Sequence, residues 1–136
     1  MSKMKLCAAA LALVLLCGLC GCAGLGDWEN AELPGAYEIW RVNGDTIGLV
    51  ERVDETFGQY VVDSYIFRMA YDDDYIFVQQ AESRSAAKNG GEALYYIVDV
   101  ASGEVLGGYA QAEFESHEIV QGLAAFPEWK DAAKRP

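Results

Sequence analysis

Beyond residue 22 this chain has no cysteine: all four, Cys7, Cys17, Cys20 and Cys22, fall within the first 22 residues. No disulfide framework is possible in the remainder, which must rely on its apolar core. Histidine is reduced to one residue, His117. Nucleophilic catalysis needs an activated Ser, Cys or Thr with a base in reach. His117 has no nucleophile-elbow pattern with it and reads as a surface or helix-packing residue. Positive charge is scarce, with 10 Lys and Arg against 21 Asp and Glu. Such a field repels phosphate backbones, which excludes nucleic acid as a partner. No apolar run reaches spanning length either. Residues 6–19 are uncharged, but fourteen helical residues cover only about 21 Å of a ~30 Å hydrocarbon layer.

What is present begins with order at the amino end. Lys3 and Lys5 form a short basic stretch, residues 6–19 are apolar, and Leu19-Cys20-Gly21-Cys22 follows. Basic, apolar and small-residue regions in this order mark a targeting segment. The last four residues resemble the lipobox of bacterial lipoproteins, with Leu at −3, Gly at −1 and Cys at +1. That resemblance implies diacylglyceryl transfer to the Cys22 sulfur, cleavage between Gly21 and Cys22, and acylation of the new amino group. One fatty chain binds a membrane only reversibly, whereas two or three on one residue give stable residence. Residues 1–21 are therefore expected to be a signal peptide, 22–32 a lipidated cysteine and tether, and 33–136 one small domain. Lys3 and Lys5 leave with the signal, so the mature chain carries 8 basic against 21 acidic residues, a formal net of −13.

The domain reads as strands. Residues 37–42 and 46–53 flank Asn43-Gly44, a dipeptide suited to a hairpin turn in which both positions need positive φ. Residues 59–62, 65–71 and 75–81 are rich in β-branched and aromatic side chains. Asp72-Asp73-Asp74 joins the last two as a solvated turn and is the candidate binding patch, weakly suited to a hard cation but without the pattern of an EF-hand loop. Residues 82–92 form a polar loop. Residues 94–100 and 104–109 make a hairpin around Ala101-Ser102-Gly103, with Gly in the left-handed position. Residues 112–121 carry long side chains at helical spacing, and Pro127 stops that pattern. The predicted fold class is α+β: about seven antiparallel strands in a sheet, with one C-terminal helix packed on it, after a cleaved signal segment. Trp40, Tyr95 and Tyr96 are expected in or against the sheet core. No catalytic residue, metal ligand set or cofactor is implied.

The order of motifs resembles a family of small bacterial lipoproteins known as a domain of unknown function. The pieces are the lipobox Cys22, Leu33-Pro34-Gly35-Ala36-Tyr37, Asp72-Asp73-Asp74-Tyr75-Ile76-Phe77-Val78-Gln79-Gln80, and Tyr95-Tyr96-Ile97-Val98-Asp99. Ser102-Gly103-Glu104-Val105 and Gly108 follow, ahead of a helix holding Phe114. The chain departs from it in lacking a proline-rich approach to the middle strands. The resemblance carries no activity. The expected function is a non-catalytic module of the bacterial cell envelope that binds a protein or other envelope partner. Lipid on Cys22 would hold it to a membrane: the outer one if the host has two, otherwise at the cell surface. The alternative is an acidic immunity or inhibitor protein against a basic toxin or hydrolase.

Overall fold

A computed structural model describes residues 30–134. Strands β1 (Ala31–Glu32), β2 (Tyr37–Asn43), β3 (Thr46–Arg52) and β4 (Gly58–Val62) pair antiparallel, in that order, as a first sheet. Strands β5 (Ile66–Tyr71), β6 (Tyr75–Ala81), β7 (Ala93–Asp99), β8 (Val105–Tyr109) and β9 (Lys130–Asp131) form a second, ordered β8-β7-β6-β5-β9. Helices α1 (Arg84–Lys88), α2 (Gln111–Glu115) and α3 (Glu118–Gln121) are single turns. The architecture is thus mostly antiparallel β, with nine strands among the described residues in two sheets. A single sheet of about seven strands under one helix does not hold. Strand propensity identifies strands but not which of them share a sheet. The change of sheet happens within the short connection between β4 and β5, where Ser64 Oγ accepts from the Ile47 N–H at 3.2 Å and donates to the Asp45 carbonyl at 3.1 Å.

Alternation along β6 explains the layering. Ile76 and Val78 join Ile39, Leu49, Val62, Ile66 and Met69 in a core between the sheets. Phe77 points the other way, to a second core with Tyr95, Ile97 and Phe114 beneath α2. Because both faces of β6 are covered, it reads as a nearly unbroken apolar run. Each fully buried Ile, Val or Phe contributes roughly 1.5–3 kcal/mol, which makes this strand the centre of stability.

Local chemistry accounts for the other departures. Ala31 and Glu32, read from sequence as tether, pair with Ile39 and Glu38. The first hairpin forms, but Asn43 ends its strand and the turn is Gly44-Asp45, with no positive φ. Asn43 Oδ1 accepts the Asp45 N–H at 2.8 Å, a local bond that replaces the expected turn. The loop at 82–92 contains α1, capped where Ser83 Oγ accepts the Ala86 N–H. The helix expected over 112–121 is broken in two. Ser116 Oγ bonds back to the Ala112 carbonyl at 2.9 Å, His117 is extended, and its Nδ1 accepts the Ile119 N–H at 3.2 Å as the cap of α3. Gly103 does take the left-handed conformation, at φ +75°.

Burial pushes the hydroxyls of Tyr37, Tyr65 and Tyr95 above their ordinary titration range, with Glu51 adding to the effect at Tyr37 and Glu115 at Tyr95. A raised folded-state value favours the neutral phenol. The stability it contributes is complete below the unfolded value of about 10 and is lost as pH rises through the folded value. The urea midpoint is expected to hold from about pH 8 to about pH 9.5 and to fall above about pH 10, and Tyr95→Phe should soften that fall. An unchanged midpoint well above pH 10 would contradict this assignment.

Candidate functional site

The outer face of the second sheet carries an open groove. Its middle is a row set by register: Arg68 of β5 opposes Gln79 of β6, and Gln79 opposes Tyr95 of β7. At about 4.8 Å between strands, the row places a guanidinium, a carboxamide and a phenol side by side. A β-bulge creates this arrangement. Ile66 pairs with Gln80, yet Arg68 pairs with Gln79, so Phe67 is the extra residue. Without it Arg68 would oppose Val78 and face the inter-sheet core, because a one-residue slip reverses every side chain.

Two hollows adjoin across this row. One, about 440 Å³, lies toward Phe77 and is walled by Phe114, Phe126 and Trp129, with Glu115 and Gln121 at its rim. The other, about 460 Å³, lies over the far end of β6 and is walled by small groups, Ala87, Gly90, Gly91, Ala93 and Ala110, with Glu92 at its edge. Arg68, Gln79, Tyr95 and Gln111 line both. The aromatic wall is tightly joined. Tyr95 stacks on Phe114 at 4.8 Å, Phe126 lies 5.3 Å from Trp129, and Phe77 lies 4.9 Å from Phe126. Such packing fixes the floor as a rigid surface.

The polar groups of the row are not engaged with the protein. Gln79 is 6% exposed, and its side chain makes no hydrogen bond to any described residue. Arg68 is exposed and forms no ion pair with a described residue. Burial pushes the Tyr95 hydroxyl up, the Glu115 carboxylate adds to this, and the Arg68 guanidinium opposes it. Tyr95 therefore stays a neutral phenol, able to donate and to accept. Around the row the polar groups are occupied: Gln111 Nε2 donates to Glu115 Oε1 at 2.9 Å, and Gln121 Nε2 to the Glu115 carbonyl at 2.6 Å.

Apart from Tyr95, the residues singled out from sequence lie elsewhere. Gly21 and Cys22 are outside the described residues. Asp72, Asp73 and Asp74 close the β5–β6 hairpin, about 13 Å along β6 from Gln79 to Tyr75 at strand rise. Asp72 Oδ1 accepts the N–H groups of Asp74 and Tyr75, both at 2.8 Å, so this carboxylate builds the turn. No described group of three or more His, Cys, Asp or Glu is arranged to hold a metal ion. No described helix is long and apolar enough to cross a membrane. His117 caps α3 and lies 5.4 Å from the Tyr109 ring, outside the groove. Trp40 is half-buried on the first sheet beside Tyr60 at 6.4 Å, in line with its expected place in or against the sheet core. The row itself was missed. Its available signal was Gln79, a polar residue at a position of β6 where alternation calls for an apolar one.

Fold and groove define a small two-sheet domain with an open groove on its second sheet. The chain belongs to the DUF3997 family, described as proteins of unknown function, whose pattern matches residues 34–122. No curated protein and no solved structure matches the chain. The matched span covers β2 to β8 with the three helical turns, whereas Phe126, Trp129 and β9 lie beyond it.

Proposed function

We propose that this protein is a non-catalytic binding module of the bacterial cell envelope that takes its ligand in the groove over β6. Lipid on Cys22 tethers it to a membrane, the outer one where the host has two and otherwise at the cell surface. Gln79 carries the reading. Its side chain is mostly packed, its carboxamide makes no hydrogen bond to a described residue, and no buried side-chain polar atom among the described residues lacks a partner, so the amide opens into the groove, where a ligand can bond it. The lining of the groove offers a guanidinium, amides, a phenol, aromatic faces and the Glu115 carboxylate, a set that suits recognition. A lipid tether localises such a domain without requiring chemistry.

Gln79→Met keeps the volume and removes the amide that faces the groove. It is expected to leave stability within about 1 kcal/mol while abolishing capture of an envelope ligand by a photo-crosslinker placed at Gln121. Undiminished, salt-insensitive crosslinking of Gln79→Met would defeat the groove reading. Crosslinking that ignores Gln79→Met and falls steeply with salt would place the interface on the acidic surface, as an immunity protein requires. Cys22→Ala should release the chain from the membrane fraction, and retention there would remove the anchor from the proposal.

A further inference from the structure

The donor set of the groove narrows its ligand, on the assumption that the groove is a binding site at all. The middle row is rich in donors: Arg68 offers a planar fork suited to a carboxylate, and Tyr95 adds a neutral hydroxyl on the far side of Gln79. Gln79, between them, presents one acceptor and two donors, which matches the C=O and N–H of a peptide amide. On one side the Phe114, Phe126 and Trp129 wall suits an apolar or aromatic side chain. On the other, Phe67 and the small groups Ala87, Gly90, Gly91 and Ala93 wall a hollow of about 460 Å³ that takes backbone and further side chains, and Glu92 supplies a negative group there. The row, with its anion acceptor and amide partner, separates the aromatic lobe from this second lobe.

We infer that the groove binds a short peptide by its free carboxy-terminus. The terminal carboxylate sits on Arg68 and the last peptide amide on Gln79, with the Tyr95 hydroxyl in reach of the next backbone group. The terminal side chain lies against Phe114 and Trp129, and the preceding small residues and amino group run past Gly91 to Glu92. The strong net negative charge of the chain disfavours polyanionic ligands, but a zwitterionic peptide carries no net charge to repel.

The test uses the full chain in detergent and the tripeptide Gly-Ala-Phe as a free acid and as its carboxamide, with binding followed by calorimetry. The free acid is expected to bind about tenfold more tightly than the carboxamide, because the carboxylate makes charge-assisted bonds that the amide lacks. Arg68→Gln should remove that preference while leaving carboxamide binding within about twofold, and Gln79→Met should weaken both forms. Equal affinity for acid and carboxamide, or a preference that survives Arg68→Gln, would overturn the inference. So would no binding of either peptide. If the Gln121 crosslinker still captures a Gln79-dependent envelope ligand in that case, the groove remains a binding site and only its assignment to peptide carboxy-termini fails.

Discussion

Phe77→Ala is expected to destabilise the domain by about 3–5 kcal/mol, the range for removing a fully buried phenylalanine. Phe77 is 0% exposed at the middle of the central strand. Its ring meets Phe114 edge-on at 5.9 Å, lies 4.9 Å from Phe126, and approaches Tyr75 at 6.2 Å. Truncation leaves a void that β6 cannot collapse into, since its opposite face holds Ile76 and Val78 in the inter-sheet core. Native domains of this kind have only about 5–15 kcal/mol of stability in total, so the variant should sit near its unfolding midpoint in mild urea. Phe77→Leu, which keeps much of the volume, should cost less than about 1.5 kcal/mol. Equilibrium urea unfolding followed by tryptophan fluorescence gives the comparison. Equal losses for the two variants would mean that the aromatic cluster is not close-packed.

Gly107→Ala should cost about 2–4 kcal/mol, combining backbone strain with a collision. Gly107 sits at φ +139° in β8, next to a β-bulge in which Gly108 is the extra residue facing Tyr95 and Tyr96. An added Cβ would stand 2.5 Å from the Tyr95 carbonyl oxygen and 2.9 Å from Tyr96 Cα, and neither backbone atom can retreat without breaking the β7–β8 ladder. Gly90→Ala separates the two causes. Gly90 also has positive φ, at +68°, but a Cβ there would meet nothing within 4 Å. Its cost should be limited to the left-handed conformation, about 1 kcal/mol. If the two alanine variants unfold at the same urea concentration, the close approach at Gly107 is not a constraint. Since the obstructing carbonyl belongs to Tyr95, Gly107→Ala should also weaken ligand capture in the groove.

The strands were legible because their signal is local. Residues 75–81 carry aromatic and β-branched side chains, and β6 occupies that range. Gly103 was legible as well, since a three-residue hairpin needs a left-handed residue there. The broken helix was not. Spacing at 112–121 satisfies a helix, but Ser116 and His117 offer the backbone competing hydrogen bonds, and the outcome depends on where Phe114 must dock. The binding row was least legible of all. Gln79 could be flagged as polar in an apolar strand, but its pairing with Arg68 exists only because Phe67 bulges. A bulge shifts register without leaving a fixed residue signature, so no spacing in the sequence brings Arg68 to that face. The acidic run at 72–74 drew attention by composition, while its leading carboxylate proved to be a turn-former.

β9 sets a schedule. The Ala132 N–H bonds the Phe67 carbonyl at the sheet edge, and Arg41 Nε bonds the Ala132 carbonyl from the first sheet, across 91 residues of sequence. A chain leaving the ribosome amino end first can form both hairpins of the first sheet, and later the hairpins of the second, from neighbours already in hand. The Arg41 bond to the Ala132 carbonyl and the pairing on the β5 edge form only when residues 130–132 emerge. Early growth is therefore fast and local, and closure is a late, long-range step. During that interval the nascent domain holds a nearly complete core beside an open strand, the state in which pairing with a second copy competes with finishing the fold.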